Sequence, residues 1–356
     1  MFPYFVVLTI IMLLVYANKS ENKYIKITDI SIFFSMVILI AFAGLRSVSV
    51  GTDTGNYARM FADLRFENRS VFEIETSVEK GYVLLQKIAL GISTDYWSIL
   101  TLVAVICVFC NFYIIKKLSH NIRLSIFIYI TLAVYVVFFN AARQGLAISI
   151  SAISILYIVR KDFLRFIICV FIASLFHRTV LIMLPFYFIL RIPFTYKKAL
   201  LFFVIGFAAF YSFSKIISVF DSSVEERYAV YEDRGATGGE LLAVFFILLA
   251  AFLIRLRNRI TLPNLKLYDV YLNLCLFTAI IYVVVIITGS DVNFIRITNY
   301  FAIGFVLIWP VVFKDVKLFQ QSHGKFLFVV VHLLFYAVYL FKMANLTPYQ
   351  LNPNIL

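Results

Sequence analysis

Long apolar runs separated by short charged connections recur along the whole chain. They predict membrane-crossing helices over residues 2–18, 28–45, 95–115, 124–140, 144–159, 198–219, 240–254, 269–288, 294–313 and 326–341, since about 20 apolar residues span the hydrocarbon layer of a bilayer. One stretch, 166–190 (FIICVFIASLFHRTVLIMLPFYFIL), admits two readings. It is either one long helix or a pair of short helices meeting near His177 and Arg178. A membrane β-barrel would show short alternating segments instead. The pattern therefore predicts an all-α polytopic membrane protein of about 10–12 transmembrane helices. The first run follows Met1 with no Lys or Arg before it, whereas a signal peptide wants a basic leader. Residues 2–18 are read as a retained helix.

The connections carry the orientation signal. Alternate ones (19–29, 116–123, 160–165, 191–198, 255–269 and 314–325) hold 19 Lys and Arg against 5 acidic residues. The remainder of the chain holds 13 basic and 14 acidic residues. By the positive-inside rule the basic face is cytoplasmic. Arg160-Lys161 and Lys197-Lys198 fall on that same side only if the chain crosses twice between them, which favours the short pair over 166–190 with His177 at an outer apex. Both termini and the two longer connections, 46–94 and 220–239, are then extracytoplasmic. The first mixes Met60, Phe61, Leu64 and Phe66 with Arg59, Arg65 and Arg69, which suits a helix lying in the interface. No repeat or Pro/Ser linker marks a second domain, so residues 1–356 are expected to form a single transmembrane domain.

Composition agrees: 63% of residues are apolar, 14% are charged and mean hydropathy is +0.95. These values exclude a soluble enzyme and a disordered chain. The net charge of +13 is accounted for by the cytoplasmic collar, so no nucleic-acid partner is expected. Cys107, Cys110, Cys169 and Cys275 sit inside apolar runs without metal or disulfide spacing, and behave as small hydrophobes. No DxD-type metal site is present, and one outer histidine without a second ligand gives no zinc site. No metal or cofactor is expected.

Ionisable groups at membrane depth tend to mark sites. Outside the cytoplasmic collars the candidates are Arg46, Asp53, Arg143, His177, Arg178, Arg227, Arg234 and Arg296, all on the outer face. Repeated outer arginines call for anionic company. Asp53, Glu79 or Asp291 can supply part of it, and a bound phosphate or diphosphate can supply more. The plainer alternative is that each arginine snorkels at a helix end. His177, the one histidine on the outer face, is a candidate base for a hydroxyl proton, or else a hydrogen-bonded core histidine. Asp53, in Gly51-Thr52-Asp53-Thr54-Gly55, can orient an arginine, bind sugar hydroxyls or cap the next helix. Tyr57, Tyr82, Tyr228 and Tyr231 are candidates for stacking on sugars, within a chain whose 39 Phe, 22 Tyr and 2 Trp are chiefly core and lipid-facing.

Several of these residues fall in an ordered series: Arg46-x4-Gly51-x-Asp53-x3-Tyr57, Glu79-x-Gly81-Tyr82, Asn140-x2-Arg143-Gln144, His177-x-Thr179, Arg296-x3-Tyr300 and Pro348-Tyr349. The series resembles the EpsG-like branch of the Wzy-type polysaccharide polymerases, over nearly the whole chain. The resemblance implies a bacterial inner-membrane, metal-independent glycosyltransferase of the lipid-donor (GT-C) type, active in O-antigen or exopolysaccharide biosynthesis. Its substrate would be an oligosaccharide repeat unit on undecaprenyl pyrophosphate, joined to the next unit at the periplasmic face. A chain-length co-polymerase would be a further partner, beside membrane lipid. Arginines aimed at a leaving pyrophosphate need no metal. The expected assignment gives that role to Arg46, Arg143, Arg178 and Arg296. The base is His177 or Asp53, and Tyr57, Tyr82, Tyr228 and Tyr300 contact sugar. Rival readings are an O-antigen ligase, a flippase for lipid-linked oligosaccharides and an ion or solute transporter. A flippase would spread polar groups to mid-depth, and a transporter would pair carboxylates within helices; this chain gathers its candidates at one face.

Overall fold

The structure, a computed structural model, describes residues 1–17, 27–220, 239–288, 295–342 and 345–355. The chain is an all-α polytopic membrane protein. Among the described residues, five helices are long and apolar enough to cross a bilayer: Trp97–Leu118, Ala142–Arg160, Gly239–Arg259, Leu262–Ile287 and Ser322–Lys342. Phe2–Tyr16, Ile30–Gly44, Ile122–Thr131 and Phe163–Ser174 are shorter apolar helices. Contacts cluster into two compact units, residues 1–187 with 321–356, and residues 188–320.

The first unit begins with α1 (Phe2–Ala17) and α2 (Ile27–Gly44). The connection 46–94 carries two helices, α3 (Thr54–Asp63) and α4 (Lys80–Leu90). Then come α5 (Trp97–Leu118), α6 (Ile122–Thr131), the single turn α7 (Val137–Asn140), α8 (Ala142–Arg160) and α9 (Phe163–Ser174). The run 124–140, expected as one helix, is broken between α6 and α7. Ala133 takes a left-handed φ of 61°, which ends α6, and the Tyr135 hydroxyl donates to Leu39 O at 2.6 Å. The break seats Tyr135, Phe138 and Phe139 in one aromatic cluster with centroids 5.2–5.6 Å apart.

Helices α8 and α9 form a hairpin. Lys161, at φ 62°, closes α8, and the Asp162 carboxylate accepts from Arg165 N at 3.0 Å to cap α9. Of the two readings of 166–190, the long helix is absent. The α-helix stops at Ser174, a bend leads to His177, and a 3-10 turn follows over Arg178–Met183. Pro185 then keeps the chain from rejoining a regular helix, and only the short turn α10 (Phe186–Ile189) follows.

The C-terminal segment returns to this unit. α16 (Ser322–Lys342) packs on α6, where Thr131 Oγ1 lies 2.9 Å from His332 Nδ1. Beyond it the tail straps the corner after α2. Tyr349 stacks on Phe42 at 4.1 Å, and its hydroxyl donates to Phe42 O at 2.7 Å. Ser47 N donates to Gln350 O and Asn352 N to Leu45 O, each at 2.8 Å. Asn352 and Asn354 reach the two oxygens of Asp95 at 3.0 and 2.7 Å.

The second unit holds α11 (Tyr196–Phe220), α12 (Gly239–Leu256), α13 (Leu262–Thr288), α14 (Ile303–Asp315) and α15 (Lys317–Gln320). The expected span 294–313 opens instead with a 3-10 turn, Arg296–Tyr300, before α14. α13 and α14 run antiparallel. Asp315 accepts from Thr261 N at 3.0 Å at one end, and Phe301 faces Phe277 at 5.9 Å towards the other. At the Asp315 end, Arg257 holds Asp269 through two hydrogen bonds of 2.6 and 2.8 Å.

Candidate functional site

Helix ends in the first unit sort by charge. α5 ends in Lys116 and Lys117, α8 in Arg160 and Lys161, and Arg165 opens α9. The opposite ends of these helices gather Asp95, the α7–α8 turn and the His177 bend. A helix as long as α8 separates its two ends by nearly a bilayer's hydrocarbon thickness. The candidate residues thus lie at the end away from the basic collar.

Glu79, one residue before α4, is the hub. Its Oε2 accepts from Arg143 Nη1 at 2.7 Å. Its Oε1 pairs with His177 Nδ1 at 3.1 Å and lies 3.4 Å from Arg178 N. The Glu79 side chain is 10% exposed, against 29% for Arg143 and 25% for His177, so the carboxylate backs the cluster while the cation and the ring reach outward. Burial would raise the Glu79 carboxyl. The bond from His177, a backbone hydrogen bond and the Arg143 charge outweigh burial and bring it down to about 2, so it is ionised at neutral pH.

Tyr57 of α3 hydrogen-bonds to Arg143. Burial, then nearby Asp53, push its phenol up, so it remains a neutral hydroxyl. The Tyr57 ring meets Tyr82 edge-on at 5.8 Å. Both rings are buried, Tyr82 completely. Neither presents an open face to a sugar, which corrects the stacking role expected of them: they wall the cluster from beneath. Arg143 is fixed from its own helix as well, since it occupies the first turn of α8.

Arg46 is placed differently from its expectation as an outward anion ligand. It is 1% exposed, its guanidinium lies 4.3 Å from the Phe139 ring centroid, and Nη1 donates to Ala43 O. Nη2 lies 3.4 Å from Thr54 Oγ1. A cation sealed under an aromatic ring and the tail cannot touch a ligand in this conformation, so Arg46 holds the corner. Gly51 completes that corner with φ +95°, and a Cβ there would stand 2.7 Å from Phe139 O. Thr52 N donates to Asn140 Oδ1 at 3.0 Å, tying the Gly51–Asp53 turn to the start of α8. Asp53 precedes α3 but its side chain makes no cap bond, which removes the capping alternative. It is half-buried near Tyr57.

The Arg178 side chain is exposed beside His177. Arg296 and Tyr300 belong to the second unit, where Arg296 is exposed and Tyr300 is 1% exposed. Burial of Tyr300 likewise leaves no ring face for a sugar. They lie towards the end of α13 away from Arg257. Tyr228, Tyr231, Arg227, Arg234 and Asp291 fall outside the described residues. Among the described residues no group of three or more His, Cys, Asp or Glu could hold a metal ion. The structure therefore brings together Arg143, His177, Arg178, Tyr57 and Tyr82 around Glu79. The carboxylate had entered only as one of several counter-ions and in the Glu79-x-Gly81-Tyr82 series; its two partners are 64 and 98 positions away.

No curated protein and no solved structure matches the chain. The sequence model of the EpsG family matches residues 29–351, nearly the whole chain, and takes in the Glu79, Arg143 and His177 cluster. The chain belongs to the EpsG family, a family of Wzy-like polymerases.

Proposed function

We propose that this protein polymerises oligosaccharide repeat units carried on undecaprenyl diphosphate, at the extracytoplasmic face of the bacterial inner membrane. The observation that carries the reading is the Arg143–Glu79–His177 cluster, a fixed cation beside an oriented imidazole at the helix ends remote from the basic collar. In the reaction, a hydroxyl of the acceptor unit attacks the anomeric carbon of the donor glycan. The bond from that carbon to the diphosphate oxygen breaks, and the hydroxyl proton passes to His177 Nε2. The diphosphate leaves on its lipid with added negative charge.

Arg143 meets that charge with the guanidinium N–H groups that Glu79 and Tyr57 do not use. The positive end of α8 adds to it, and Arg178, exposed beside His177, is the further anion ligand. Donors fixed in place before the reaction stabilise such charge most effectively. Tyr57 orients Arg143, and Asp53 is the remaining candidate for sugar hydroxyls. Arg46 supports the site from within by fixing the corner that carries Asp53.

Complementation in cells tests the reading. In a strain deleted for the gene, wild-type protein restores long surface glycan, whereas Arg143→Ala and His177→Ala, inserted at normal levels, leave single repeat units. Normal chain-length ladders from both variants would refute the assignment. Loss of all surface glycan on deletion would favour a ligase or flippase.

A further inference from the structure

We propose that Glu79 is a positioning residue: its two oxygens fix which nitrogen of His177 carries the proton and where that ring stands relative to Arg143, while Gly81 fixes where Glu79 stands. The inference rests on the reaction proposed above and deepens it.

The geometry is specific. Oε2 is occupied by Arg143 Nη1 at 2.7 Å and Oε1 by His177 Nδ1 at 3.1 Å. An ionised carboxylate can only accept hydrogen bonds. The proton between them therefore sits on His177 Nδ1, and a neutral ring must carry its lone pair on Nε2, the side away from Glu79. That is the nitrogen a base needs to present. The opposite tautomer would point an N–H at the acceptor hydroxyl and would leave Nδ1 and Oε1 as two acceptors face to face.

A backbone contact independent of these side chains places Glu79. Gly81 N donates to Leu175 O at 2.9 Å, so the first turn of α4 docks directly on the bend that precedes His177. A Cβ at position 81 would stand 2.5 Å from Leu175 O and 2.9 Å from Leu175 C. Both are backbone atoms that cannot rotate aside, so only glycine permits the approach. The Glu79-x-Gly81 spacing thus joins a carboxylate to the close contact that aims it.

The test uses the full-length protein in lipid nanodiscs, with the histidine side chains labelled with 15N and the His177 signal identified by its loss in His177→Gln. With the pH raised until the ring signal is that of the neutral form, the wild-type ring is expected to carry its proton on Nδ1. In Glu79→Gln the amide oxygen faces Arg143 and the NH2 faces Nδ1, so the proton is expected to move to Nε2. With it, kcat falls by about 10²–10⁴-fold at little change in KM. Gly81→Ala removes no polar atom and is expected to lower kcat in protein that still inserts. A wild-type ring protonated on Nε2, or an unchanged tautomer in Glu79→Gln, overturns the positioning role; unchanged kcat in Gly81→Ala overturns the part assigned to Gly81. The tautomer is read without turnover. Normal polymerisation by His177→Gln would therefore refute the reaction proposed above while leaving the tautomer result to decide this inference.

Discussion

At Glu79 a single carboxylate receives a hydrogen-bond donor on each oxygen, and the chemistry of both partners follows. Arg143→Lys keeps a positive charge but replaces a planar fork with a point charge. It should lose about 10²–10³-fold in kcat, as loss of a preorganised oxyanion donor does; polymerisation assays on the purified variant check this, and full activity would mean that charge alone suffices. The pH dependence has a definite sign. The Glu79 carboxyl is lowered from 4.5 to about 2 in the folded state, so its contribution to stability is complete above about pH 4.5 and is lost as pH falls towards 2. Thermal unfolding from pH 5 to 8 should carry no Glu79 dependence, and Glu79→Gln should remove the part of the acid descent that Glu79 supplies. Arg143 and His177 were legible as candidates because ionisable residues stand out at the ends of apolar runs. The role of Glu79 was not, because nothing local to position 79 reveals partners 64 and 98 positions away. Nor was the sealing of Arg46: a sequence shows a cation after a helix, and only packing shows Phe139 and the tail closing over it.

The elements were legible where an apolar run was simply a helix. α1, α2, α5, α8 and α16 fall within a few residues of the runs that predicted them. They failed where the backbone breaks inside an unbroken apolar run. Nothing in LAVYV marks Ala133 for a left-handed φ, and the α6–α7 break brings three rings together. The break at His177 was foreseen from charge placement rather than from periodicity. The tail is the element whose contribution was least visible, since its strap is made largely of backbone bonds. Asn352 is fully buried and bonds to the charged Asp95. A hydrogen bond to a charged group is worth about 1.5–3 kcal/mol, so Asn352→Ala should destabilise by that amount. Thermal unfolding of the purified protein should show a lowered midpoint, with activity following because Arg46 and the Gly51–Asp53 turn lose their cover. An unchanged midpoint would mean that the strap is ornamental to the corner.

At the scale of the molecule's compact units, two kinds of helix end are kept apart within each. In the first unit Lys116, Lys117, Arg160, Lys161 and Arg165 stand at one end and the Glu79 cluster at the other. In the second, Arg257, Asp269 and Asp315 mark one end and Arg296 lies towards the other. Within the first unit this division leaves Arg143 and Arg178 at the end away from the basic residues, where the proposed diphosphate headgroup would meet them. The most direct measurement supplies purified protein in proteoliposomes with a repeat unit linked to undecaprenyl diphosphate and follows both products. Wild-type protein should yield glycan of two or more repeats and release one undecaprenyl diphosphate for each bond formed, and Arg143→Ala and His177→Ala should yield neither. Release without chain growth, or growth undiminished in both variants, would contradict the account.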